Sequence, residues 1–179
     1  MENRGYVHIY TGDGKGKTTA AFGLAVRALC AGKDVYIGQF VKSMKYGETR
    51  IEELFGRAGK GYGRVRIEQL GRGCFLGRHP DPADVQSARE GLARCAEAAS
   101  GGRYGVVVLD ELNIALHYGL LAVDEVSELL DRRAPATEIV ITGRYAPQAL
   151  IDRADLVTEM REVRHYYSAG VLSREGIDR

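Results

Sequence analysis

The segment Thr11-Gly-Asp-Gly-Lys-Gly-Lys-Thr-Thr19 carries residue types and spacing suited to holding a chain of phosphates. Gly12, Gly14 and Gly16 allow positive φ and let backbone N–H groups approach phosphate oxygens, with Asp13 and Lys15 between them. Lys17 supplies a point charge for the outer phosphates. The Thr18 hydroxyl can ligate Mg2+, with Thr19 beside it. A helix beginning here would add free N–H groups and the positive end of its dipole. The strict pattern G-x-x-x-x-G-K-[ST] is not met, because Thr11 stands where its first glycine belongs and Gly12 comes one residue late. The competing reading is a glycine-rich turn with surface lysines. Gly59-Lys-Gly-Tyr-Gly63 illustrates it, since a strand pattern follows, not a helix.

A second group of charges lies at 106–111, where the apolar run Val106-Val-Val-Leu ends on Asp110 and Glu111. Ligands in parallel sheets bind beyond the carboxyl ends of strands, and two acids there suit Mg2+ with a triphosphate. Asp110 capping a following turn is the alternative. Lys42 after Gly-Gln-Phe and Arg144 after Val-Ile-Thr-Gly occupy the same end of other strands. Their shared position points to a phosphate cluster, against the plainer reading of surface charges. His8, His79, His117 and His165 have no metal-ligand spacing, and no nucleophile–base pair can be assembled from spacing.

These residues must be positioned by alternating strands and helices. Strands are expected at Tyr6–Tyr10, Asp34–Phe40, Val65–Leu70, Gly105–Leu109, Glu138–Thr142 and Leu156–Val163. Helices are expected at Lys17–Ala31, Thr49–Arg57, Pro82–Ser100, Val123–Arg133 and Pro147–Ala154. Continuous apolar runs such as Gly105–Leu109 suit parallel strands buried on both faces. The expected fold is α/β and phosphate-loop NTPase-like, a largely parallel sheet of about six strands with helices on both faces. Residues 1–179 read as one nucleotide-binding domain. The glycine- and arginine-rich stretch Gly56–Arg78 reads as a solvated connection or as a loop closing over a ligand.

Net charge is +1 and charged residues make up 27% of the chain, which gives no global electrostatic case for nucleic acid or an anionic membrane. No apolar stretch approaches a membrane span. Cys30, Cys74 and Cys95 form no C-x-x-C pair and read as reduced thiols, Cys30 and Cys95 in helical core patterns. A cytoplasmic protein is expected.

The chain resembles the phosphate-loop type of corrinoid adenosyltransferase. Four blocks carry the resemblance: TGDGKGKTTAAFGLAVRA at 11–28, GQFVK with the later GE at 38–48, VVVLDELNIAL at 106–116 and EIVITGR at 138–144. The closing segment at 157–178 is similar too, so the likeness spans nearly the whole chain. The shortened phosphate loop is itself a family trait. The resemblance implies that ATP is a co-substrate with Mg2+, and that Co(I) of a reduced corrinoid attacks its 5′ carbon to release triphosphate. It implies Lys17 and Glu111 as the groups stabilising the leaving triphosphate, and Thr18, Glu111 and Asp110 around the metal. It further implies an electron-transfer protein such as a flavodoxin as reductant, and a homodimer. Better-known members begin with a helix that covers a partner's site. This sequence enters its first strand almost at once, so a lid is expected from elsewhere. Some members use aromatic residues to displace the lower cobalt ligand. Phe75 and Leu76 are the candidates here, since the chain has no tryptophan.

A phosphate-loop ATPase or kinase is the competing enzyme, in which Glu111 would orient water instead of holding metal. A nucleotide-gated nucleic-acid module is the non-enzymatic alternative, disfavoured by the near-neutral charge.

Overall fold

The computed structural model describes residues 4–73 and 79–178. Six strands form one sheet: β1 (Val7–Thr11), β2 (Val35–Gln39), β3 (Val65–Gln69), β4 (Val106–Asp110), β5 (Glu138–Thr142) and β6 (Leu156–Glu159). Their order is β3-β2-β4-β5-β1-β6, and every pairing is parallel. Parallel neighbours require crossovers, which the helices supply. These are α1 (Lys17–Cys30), α2 (Ile51–Gly56), α3 (Pro82–Ser100), α4 (Leu112–His117), α5 (Val123–Arg132) and α6 (Gln148–Ile151).

Alternation along the central strands divides the core in two. On β4, Val106 and Val108 pack with Ala21, Ala25 and Leu29 of α1. Val107 and Leu109 face the other way, into a cluster with Leu92 and Cys95 of α3 and Val126 and Leu129 of α5. A strand covered on both faces needs an unbroken apolar run, which is what 106–109 provides. α3 starts where it does because Asp81 and Asp84 cap one another reciprocally, each side chain accepting the other's backbone N–H at 2.9 Å, with Pro82 at the first helical position.

Some expectations are corrected. β6 ends at Glu159, short of Val163, because the backbone of Met160 turns to the phosphate loop. Its N–H donates to the Thr11 carbonyl at 2.8 Å, and its carbonyl accepts from Gly14 N–H at 2.6 Å. The helix read at Thr49–Arg57 is a 3-10 turn at Gly47–Arg50 that passes into α2. α4 appears in a segment for which no helix was expected. Cys95 is buried as expected, but Cys30, the last residue of α1, is exposed; both are free thiols. Among the described residues no helix is long and apolar enough to cross a membrane.

Candidate active site

The phosphate loop links β1 to α1. Its glycines are required by geometry, as Gly16 and Gly14 illustrate. Gly16, the residue before α1, has φ 117°, a conformation costly for any residue with a Cβ. A Cβ on Gly14 would lie 2.8 Å from the carbonyl carbon of Arg161 and the carbonyl oxygen of Met160, so the loop could not close against the chain leaving β6. Lys17 is 7% exposed, and its ammonium donates to the carbonyls of Gly12 and Gly14, both at 2.7 Å. Burial holds its pKa below the ordinary lysine value, with Glu111 opposing that shift. A desolvated ammonium held only by carbonyl dipoles is ready to pair with an anion.

Asp110, fully buried at the end of β4, is the hub beneath the loop. Its Oδ1 accepts from the hydroxyls of Thr18 and Thr142, both at 2.8 Å. Its Oδ2 accepts from Gln39 at 3.0 Å and from the Lys42 ammonium at 2.8 Å. Burial alone would raise this carboxyl's pKa, but Lys42 and the hydrogen bonds from Gln39 and Thr142 win and keep it below the ordinary value. Lys42 is thus tied to Asp110, with the Glu48 carboxylate also 3.6 Å from its ammonium.

Glu111 follows with φ 60°, held by its N–H donating to the Thr142 hydroxyl at 2.9 Å. Its carboxyl makes no hydrogen bond among the described residues and faces the cleft. Burial, then repulsion from Asp110, raises its pKa despite Lys42, Lys17 and Arg144 nearby. Val41 and Tyr145 are the other non-glycine residues with positive φ among those described. All three follow neighbouring strands β2, β4 and β5 and line the same cleft. Such backbone costs roughly 1–3 kcal/mol per residue and is characteristic of functional sites.

That cleft has a volume of about 1280 Å3. Gly14, Lys15, Gly16, Lys17, Thr18, Thr19, Lys42, Glu111 and Arg144 line it together. Gly12, Asp13 and Asp110 do not line it but hold residues that do: Gly12 holds Lys17, the Asp13 carbonyl accepts from Arg144 at 2.9 Å, and Asp110 orders Thr18. Phe75 and Leu76 lie outside the described residues. No described residue of Gly56–Gly73 lines the cleft.

Sequence reasoning missed Gln39 and Thr142, although a polar residue ending each buried strand was a visible signal. It also assigned no role to the closing segment, which walls the cleft with His165, Tyr166, Tyr167 and Ile177. Lys15 donates to the Ile177 carbonyl and to Asp178, each at 2.6 Å. Asp178 in turn accepts from Tyr166 and Arg174.

The model of the family "ATP:corrinoid adenosyltransferase BtuR/CobO/CobP" matches residues 3–178. The chain belongs to this family. It is 34% identical to a corrinoid adenosyltransferase of Pseudomonas aeruginosa, an alignment covering 99% of this chain and 85% of the relative. A corrinoid adenosyltransferase of Escherichia coli is 34% identical, and the CobA enzyme of Salmonella typhimurium 35%, each alignment covering 99% of this chain and 87% of the relative.

For this adenosyltransferase family member the raised pKa of Glu111 has a stability consequence. A carboxyl that binds its proton more tightly when folded contributes most below its unfolded pKa. That contribution is lost as pH rises through the folded value. Ionised Glu111 therefore costs stability at neutral pH. Glu111→Gln is expected to raise the melting temperature of the nucleotide-free protein there, with the gain vanishing below the ordinary glutamate range of about pH 4. Melting curves of both proteins across this range check it. A lower melting temperature for Glu111→Gln at neutral pH would show that attraction to Lys17 and Arg144 outweighs burial.

Proposed function

We propose that this chain transfers the 5′-deoxyadenosyl group of ATP to the Co(I) of a reduced corrinoid, releasing triphosphate, in the formation or salvage of adenosylcobalamin. The observation that carries this reading is one cleft, in a member of this family, that joins a phosphate loop to a charged rim of Lys42, Glu111 and Arg144. Its volume of about 1280 Å3 exceeds the usual range for one small ligand, leaving room for a second, larger substrate.

The cobalt electron pair forms a bond to C5′. The C5′–O bond breaks, its electron pair leaves on triphosphate, and cobalt is oxidised from Co(I) to Co(III). Co(I) is itself a strong nucleophile, so the chain supplies no attacking side chain. Its work is to align ATP and to stabilise the departing charge. Lys17 can move its ammonium from the Gly12 and Gly14 carbonyls to the triphosphate. Loop N–H groups and Arg144 add further donors. Mg2+, which takes few protein ligands and several phosphate or water oxygens, would neutralise that charge from a position held by Thr18 and Glu111. The donor set fits: the Glu111 carboxyl lines the cleft with no hydrogen bond from any described residue, and the Thr18 hydroxyl is held at the loop. Among the described residues there is no cluster of three or more His, Cys, Asp or Glu that would bind metal without the nucleotide. Asp110, grouped with the metal ligands on sequence grounds, has both oxygens taken by four protein donors and acts through Thr18. A flavodoxin-like donor supplies the electron that makes Co(I), and the assembly is a homodimer.

Mg-ATP and chemically reduced corrinoid, incubated with the protein in the dark, should yield a light-sensitive alkylcobalt spectrum; its absence would overturn the reading. Thr18→Ala and Glu111→Gln are each expected to raise the Mg2+ concentration for half-maximal rate by roughly tenfold or more, as loss of a metal-site group does. A Glu111→Gln protein that loses activity with an unchanged Mg2+ midpoint would remove Glu111 from the metal site.

A further inference from the structure

The loop after β5 carries a ring that phosphate binding does not use. Tyr145 lines the cleft, is 54% exposed, and holds φ 62°. An aromatic residue adopts that backbone only when its surroundings fix it. They do so from both sides. Arg144 before it donates to the Asp13 carbonyl at 2.9 Å, and Ala146 N–H after it donates to the Thr11 hydroxyl at 3.4 Å. One tie runs to the phosphate loop and the other to the last residue of β1, which leads into it, so the ring is held in register with the loop.

One face of the Tyr145 ring is covered. The imidazole of His117, at the end of α4, stacks on it with centroids 4.1 Å apart and planes at 27°. The residue is nonetheless more than half exposed, and it lines the cleft together with Ile114 and Arg144. A flat ring with a backed face, fixed next to a phosphate site, matches a stacking platform for a second flat ring. A purine offers a planar π face of the right size. A corrin is puckered and fringed with amide arms, and stacks poorly on one phenol.

We propose that Tyr145, backed by His117, is the platform on which the purine base of the nucleotide stacks while its phosphates occupy the loop at 12–19. This deepens the reading above and rests on a nucleotide occupying the cleft. It gives the chain a means of positioning the nucleoside, and with it the 5′ carbon, that the phosphate loop alone does not provide. Stacking is tolerant of base identity, so the platform favours ATP over bare triphosphate more than it favours one base over another.

The test compares binding of ATP and of inorganic tripolyphosphate, by calorimetry, to wild type, Tyr145→Gly and Tyr145→Phe. Glycine accepts the positive φ at this position, so the first variant removes the ring without straining the fold. Tyr145→Gly is expected to weaken ATP about tenfold and leave tripolyphosphate unchanged, while Tyr145→Phe stays close to wild type. Unchanged ATP affinity in Tyr145→Gly, or equal losses for both ligands, overturns the proposal. So does a variant with normal ATP binding and a raised KM for corrinoid, which would give the ring to the other substrate. The two readings fail separately. Wild type that binds ATP no better than tripolyphosphate removes only the platform. Tyr145-dependent ATP binding without adenosyl transfer keeps the platform and removes the proposed function.

Discussion

Lys17→Ala is expected to lower adenosyl transfer by about 100-fold or more, the scale seen when one donor to a developing oxyanion is removed. Three observations set this expectation. The Lys17 ammonium is buried, its partners are two loop carbonyls and not an acid, and burial already disfavours its charge. A triphosphate that leaves during the reaction is the anion for which this charge is held. Substitution should cost little stability, since the hydrogen bonds lost are to loop carbonyls and a desolvated charge is removed with them. The check combines turnover with a melting curve and tripolyphosphate binding. A folded Lys17→Ala protein with undiminished turnover would contradict the role. Lys17→Arg should not restore the rate, because a planar fork does not fit the space between two carbonyls that receives a compact ammonium.

The second large effect is at Asp110. Asp110→Asn removes the charge that pairs with Lys42 and places an amide among four donors. Breaking one side of a buried pair costs about 3 kcal/mol or more. For a chain of this size that is a fall in melting temperature of roughly 6–12 °C. Transfer should also fall by about 100-fold, because Thr18 and, through Thr142, the backbone of Glu111 lose their anchor. A double variant separates the two losses. Asp110→Asn with Lys42→Met leaves no unpaired buried charge, so much of the stability should return while activity stays low. If stability and activity return together, Asp110 serves the fold and not the site.

The alternation of strands and helices was legible wherever the apolar signal was continuous or capped. β5 has the bounds its Glu-Ile-Val-Ile-Thr run implies, and α3 runs from the proline that opens it to Ser100. α4 was not legible because Leu-Asn-Ile-Ala-Leu-His is too short to show helical periodicity, and its start depends on a left-handed Glu111. The end of β6 was misplaced because what stops it is the Met160 backbone turning to Gly14, and backbone partners leave no mark in sequence. The same holds for the Ile177 carbonyl on Lys15.

Much of the candidate site was legible for a related reason. Gly-Lys-Gly-Lys-Thr and Asp110-Glu111 carry chemistry in residue type, and the parallel sheet brings the ends of β1 and β4 to one side. The division of labour between the two acids was not legible. Both are carboxylates at consecutive positions, and only the structure shows one saturated by four donors and the other facing the cleft. The closing segment was recognisable as similar to the family, but its place as a wall of the cleft is tertiary.

The product of the nucleotide tests the central claim most directly. Cobalt attack at C5′ breaks the bond between that carbon and the triphosphate and no bond within the triphosphate. Quenched reactions with Mg-ATP and Co(I) corrinoid, resolved by anion-exchange chromatography, should therefore contain one tripolyphosphate for each alkylcobalt bond formed, with no matching rise in ADP. ADP or orthophosphate appearing in step with turnover, with no tripolyphosphate, would make the protein a phosphate-transferring or hydrolytic enzyme and contradict the account.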